Sequence, residues 1–143
     1  MAQEMTPDAR RAFLLRGTRT AILATTRPDG PPHAVPVGFV LDGDDVLFLT
    51  NPHTVKAAAV QRDPRVTLVV DDETPPFAFV MIEGAAEVSG DPAEIQRVAP
   101  SIGERYAGPD GVDEFVRFAG EALGLLVRVK PTRIVALDRV GEH

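Results

Sequence analysis

Lys56 occupies the first turn of an expected helix, a place where an acid is the ordinary choice. The run from Leu47 to Lys56 reads Leu-Phe-Leu-Thr-Asn-Pro-His-Thr-Val-Lys: an apolar strand, a polar turn and a helix start without Asp or Glu. The positive end of a helix dipole disfavours a cation by roughly 0.3–1 kcal/mol. A bound anion reverses that sign. Backbone amides at the helix start, the hydroxyls of Thr50 and Thr54 and the Lys56 ammonium would then converge on one phosphate. The chain has two lysines, Lys56 and Lys130, against thirteen arginines, which sets Lys56 apart from ordinary surface decoration. A solvated surface lysine on a short helix is the alternative this segment leaves open.

A second group of residues offers shape rather than charge. Pro36 falls inside a strand, where it cannot donate a ladder hydrogen bond and belongs at an edge or bulge. Gly38 follows two residues later, so Pro36, Val37 and Gly38 either expose backbone to a flat ligand or turn a barrel corner. Phe77 and Phe79 sit two apart and are expected on one face of a later strand, to stack on a ring, fill the core or meet a second copy. His33 and His53 could serve as acids or be plain surface or hydrogen-bonding residues. Tyr106, the one tyrosine, needs a partner if buried. Glu83, beside Gly84, is expected to make a hydrogen bond rather than to catalyse. No Ser-His-Asp order and no paired-carboxylate spacing stands out, so any reaction here needs a cofactor to supply reactivity.

Composition bounds the remaining possibilities. At 143 residues the chain suits one domain with a real core, and 44% hydrophobic against 25% charged residues argues for a globular protein. A net charge of −6 without a Lys/Arg stripe speaks against nucleic acid, where phosphate neutralisation supplies most of the affinity. The absence of cysteine removes disulfides, thiolate metal sites and thiol nucleophiles. His33, His53 and His143 are scattered, so no protein metal site is expected. The amino end has neither a basic nor an apolar run, and no stretch approaches ~18 apolar residues. The expected compartment is therefore the cytoplasm, with no membrane partner.

The elements that must position these residues can be read in order. Thr6-Pro7-Asp8 starts a helix to about Arg16, closed by Gly17. A strand from Thr20 to Thr26 precedes the Arg27-Pro28-Asp29-Gly30 turn, and a return strand runs from His33 to Leu41. Asp42-Gly43-Asp44-Asp45 turns into a third strand, Val46 to Thr50, and a helix follows from Thr54 to Gln61. After Asp63-Pro64, Val66 to Asp71 forms a strand expected to be buried on both faces. Phe77 to Ser89 is a long strand with a bulge or bend at Gly84. Asp91-Pro92 caps a helix to about Tyr106, Asp110 to Ala122 is a candidate for another, and strands near Leu125–Val129 and Arg133–Leu137 finish the chain. Six or seven hairpin-linked strands with flanking helices predict a mainly β fold, an antiparallel sheet closed into a barrel. A doubly wound sheet is excluded, because strand and helix do not alternate throughout and Gly-x-Gly-x-x-Gly is absent.

Taken together, Leu23-Ala24-Thr25, Asp29-Gly30, Pro32-His33, Pro36-Val37, Thr54, Lys56, Asp63-Pro64-Arg65-Val66, Asp71-Asp72 and Glu83-Gly84 form an ordered set. Over about Ala21 to Ala86 this set resembles the split-barrel superfamily of flavin reductases that includes pyridoxamine 5′-phosphate oxidase. Within it, the set is most similar to the class dependent on the deazaflavin coenzyme F-420. The resemblance implies a homodimer of split barrels, an oxidoreductase acting on a small molecule, with cofactors in grooves between subunits. It implies coenzyme F-420, or FMN on the same scaffold, in a reductase, an oxidase or a non-catalytic carrier. Thr50, Asn51, His53, Thr54, Lys56 and Ala57 would meet the phosphate and tail. Val35, Pro36, Val37 and Gly38 would lie along the ring, with Phe77 and Phe79 closing the groove from the other subunit. Relatives often have Arg-Asn where this chain has Ala58-Ala59, and many carry a bulky aromatic where Gly38 stands. The latter departure suggests a slot open to a large planar acceptor such as a biliverdin-like tetrapyrrole.

Overall fold

A computed structural model describes residues 1–142; His143 lies outside the described residues. The elements are β1 (Gln3–Glu4), α1 (Pro7–Leu15), β2 (Ala21–Thr26), β3 (Pro32–Val37), β4 (Val40–Asp42), β5 (Asp45–Thr50), α2 (Val55–Arg62), β6 (Arg65–Asp72), β7 (Ala78–Ser89), α3 (Pro92–Ala107), a 3-10 turn (Pro109–Gly111), α4 (Val112–Ala122) and β8 (Leu125–Asp138). Caps fix the helix starts as the sequence predicts. The Thr6 hydroxyl accepts from the Ala9 amide at 3.1 Å, and the Asp91 carboxylate from the Ala93 amide at 2.9 Å.

Eight strands form one antiparallel sheet in the order β3-β2-β6-β7-β8-β5-β4, with β1 added to β8. The sheet curls as a split barrel with helices at its flanks. Alternate residues turn inward: Leu23 on β2, Leu68 and Val70 on β6, Val80 and Ile82 on β7, and Val127 and Val129 on β8 are all buried. Phe39 and Phe48 fill the centre, and Ala57 and Val60 of α2 join the same core. Among the described residues no helix is long and apolar enough to cross a membrane.

Four expectations are corrected. The return strand does not run from His33 to Leu41: it breaks at Gly38-Phe39, where the chain leaves β2 and crosses to the far end of the sheet as β4, paired with β5. The last two strands are one, β8, because the interruption around Pro131 is absorbed by a bulge opposite Glu83 and Gly84 rather than by a loop. Phe77 lies outside β7 with φ of 69°, so the alternation that would place it on the face of Phe79 does not apply. β6 is buried on one face only, since Thr67 and Val69 on its outer face are half-exposed.

Candidate functional site

The junction of β5 and α2 brings Thr50, Asn51, His53, Thr54 and Lys56 together. Thr50 is 2% exposed at the end of β5. The Thr54 hydroxyl caps α2, accepting from the Ala57 amide at 3.2 Å and donating to the Asn51 carbonyl at 3.0 Å. The Thr50 hydroxyl lies 3.2 Å from that of Thr54 and donates to the same Asn51 carbonyl at 3.4 Å. The Asn51 side chain accepts from the His53 amide at 2.8 Å. These bonds build the turn, so the two threonine hydroxyls shape the cradle instead of pointing free donors from it.

What the turn leaves unspent is positive. Among the described residues the Val55 and Lys56 amides have no acceptor, and no acid stands in the first turn of α2. Lys56 is half-buried and has no carboxylate partner among the described residues, whereas Lys130 pairs with Glu87 at 3.4 Å. Two free amides, a helix N-terminus and an uncompensated ammonium fit a phosphate. Ala57 is fully buried against the core, which anchors this turn but gives it no polar group. Among the described residues no three His, Asp or Glu side chains gather as metal ligands.

β3 carries Val35, Pro36 and Val37 along one end of the sheet, so the missing Pro36 donor leaves no gap in the ladder to β2. Gly38 is a corner and not an open slot. A Cβ there would lie 3.0 Å from Cε2 of Tyr106, whose ring takes the space. The Tyr106 hydroxyl accepts from the Phe39 amide at 2.9 Å and donates to the Arg19 carbonyl at 2.8 Å. Burial pushes this phenol above its ordinary value. This hydroxyl is thus engaged by backbone on both its donor and its acceptor side.

Sequence reasoning missed Arg105. Its guanidinium donates to the carbonyls of Phe39 and Leu14, each at 2.7 Å, and of Gly17 at 3.1 Å, and stacks 4.5 Å from the Phe39 ring. A fourth bond reaches the Arg19 carbonyl at 3.2 Å; burial lowers the pKa of Arg105, yet five N–H donors suit four scattered carbonyls as no lysine could. The only hint in the sequence is a basic residue in a helix's last turn.

His33 faces Thr25 across β2 and β3, and among the described residues its buried Nδ1 has no partner, nor has the Thr25 hydroxyl. His53 is exposed on the turn before α2. Phe79 pairs with Asp71 and Leu137 on the outer face of the sheet, away from the β5–α2 junction. Glu83 meets Arg133 at 3.5 Å. Two cavities of about 430 Å³ lie elsewhere, one beside Thr25, Pro32, Arg65 and Glu83 and one beside Asp45, Lys130 and Arg133; no residue of the cradle lines either.

The sequence matches the pyridoxamine 5′-phosphate oxidase family over residues 6–135. A conserved hypothetical protein, Rv2991, from Mycobacterium tuberculosis is 32% identical with a TM-score of 0.82, covering 94% of this chain and 86% of that one. An F-420 reductase is 25% identical with a TM-score of 0.66, covering 86% of this chain and 94% of that one. An FAD-binding protein from Mesorhizobium loti, 16% identical with a TM-score of 0.65 and 96% of both chains covered, shares the fold. No curated protein matches the chain.

Proposed function

The chain belongs to the pyridoxamine 5′-phosphate oxidase family, and on that premise we propose that it is a reductase that holds the deazaflavin coenzyme F-420 by its phosphate and reduces an unsaturated or conjugated small molecule. The observation that carries this reading is the unpaired Lys56 in an acid-free helix start with two free amides. The likeness to an F-420 reductase favours the deazaflavin over FMN. Such a cofactor supplies the hydride. The chain's own residues bind and orient: Lys56 and the Val55 and Lys56 amides hold the anion, while Val35 to Val37 offer an edge of backbone to the ring. His33 or solvent supplies the proton; the Tyr106 hydroxyl is already engaged. The filled space at Gly38 removes the reason for assigning a tetrapyrrole-sized acceptor.

The same reading includes a homodimer with the cofactor between subunits. Outward positions of an antiparallel sheet are ordinarily polar. Here Ile22, Val69, Met81 and Val135 run side by side across β2, β6, β7 and β8, and Ile22 is 41% exposed. An apolar stripe of that kind suits a second copy, which would bring Phe77 and Phe79 to the groove. Lys56→Ala is expected to weaken F-420 binding by about 1–3 kcal/mol, the scale of a lost charge-assisted hydrogen bond, without lowering the melting temperature. A fluorescence titration checks this, and an unchanged dissociation constant would sink the cradle. Competition between F-420 and FMN in the same titration decides the cofactor.

A further inference from the structure

Among the described residues two non-glycine residues hold positive φ, Phe77 at 69° and Arg139 at 54°. They belong to one unit. The Phe77 amide donates to the Thr74 carbonyl at 2.9 Å, closing a turn ahead of β7. The tail after β8 then clasps that turn: the Val140 amide donates to the Phe77 carbonyl at 3.0 Å and the Gly141 amide to the Pro76 carbonyl at 2.6 Å. A left-handed backbone is costly for an aromatic residue and persists only where its surroundings over-determine it. Burial does not compensate, because Phe77 is 43% exposed. The ring instead lies against Gly141, where a Cβ would come within 2.7 Å of its Cδ2 and 3.1 Å of its Cε2.

We propose that residues 139–142 are a strap that positions the Phe77 ring for contact with the cofactor, and that Gly141 is the positioning residue beneath it. This rests on the reading above, in which Phe77 closes the groove across the dimer. Strain maintained at an exposed aromatic, by hydrogen bonds from a separate segment, fixes a ring presented to something outside the protomer.

Three variants and one double variant test it, each read by F-420 fluorescence titration, melting temperature and light scattering. Phe77→Asn keeps a residue that tolerates left-handed backbone and removes the ring. It is expected to weaken F-420 binding about three- to tenfold, the range of an aromatic stacking contact, with mass and melting temperature unchanged. Gly141→Ala should displace the ring and weaken binding to a similar extent. In the double variant the alanine should add nothing, because Gly141 acts only through the ring. Wild-type affinity in Gly141→Ala, additive losses in the double variant, or a loss that tracks monomer formation or melting each overturns the strap. Lys56→Ala separates the two levels: if it weakens binding and Gly141→Ala does not, the strap alone fails. If Lys56→Ala binds as wild type, the site reading fails and the strap with it.

Discussion

The Tyr106 hydroxyl takes one backbone amide and gives its proton to one backbone carbonyl, so removing it orphans the Phe39 N–H in the core. Tyr106→Phe is expected to cost about 1–3 kcal/mol in urea unfolding while leaving turnover intact. The chain has no tryptophan and no other tyrosine, so phenolate absorbance reports this residue directly. Burial raises its pKa above the ordinary 10.0, meaning the folded state prefers the neutral phenol. Its stabilising contribution is therefore complete below pH 10 and is lost as pH rises through the folded value. An alkaline titration should show a native midpoint above 10 that falls to the ordinary value in urea. The need of Tyr106 for a partner was legible in the sequence; the partner was not, because Gly38 and Tyr106 are brought together only by the docking of α3. Lys56 was legible for the opposite reason: its oddity is local, a charge of the wrong sign on a helix end four residues from a strand.

At the level of elements, local chemistry explains what the sequence could show. Caps and turns depend on neighbours in the chain, and α1, α2 and α3 begin where Thr6, Thr54 and Asp91 place them. Pairing across the sheet is a different matter. Nothing near Gly38 in sequence says that the strand must leave β2, and nothing near Pro131 says that β8 continues through it; both follow from partners tens of residues away. Gly84 lies between these cases. Its place in a strand suggested a bulge, and the register does shift between Glu83 and Gly84. Thr132 becomes the extra residue, its hydroxyl donating to the Glu83 carbonyl at 3.2 Å. A Cβ on Gly84 would stand 2.6 Å from the Lys130 carbonyl oxygen, a backbone atom that cannot swing aside. Gly84→Ala is expected to destabilise by about 1–3 kcal/mol in denaturant unfolding, the usual cost of overpacking.

At the scale of the whole molecule, the proposed dimer rests on the outer face of the sheet. Met81 stands in the middle of its apolar stripe, between Val69 and Val135. Met81→Glu would place a charge at the centre of a desolvated contact and is expected to give a monomer by light scattering, with F-420 affinity lost in step. A dimeric Met81→Glu would argue that another surface joins the copies. Composition could not reveal this stripe, because residues that alternate with core positions become neighbours only through register. The sheet order has one more outcome. β3 is an end strand, and a free strand edge is a template on which further chains can polymerise. Every second residue of an antiparallel strand turns its amide away from its neighbour, and on β3 Pro32 and Pro36 hold two of three such positions, leaving Ala34 as the lone outward donor. Pro32 and Pro36 thus withhold from this edge the donors that a further strand would need, a guard against fibre growth.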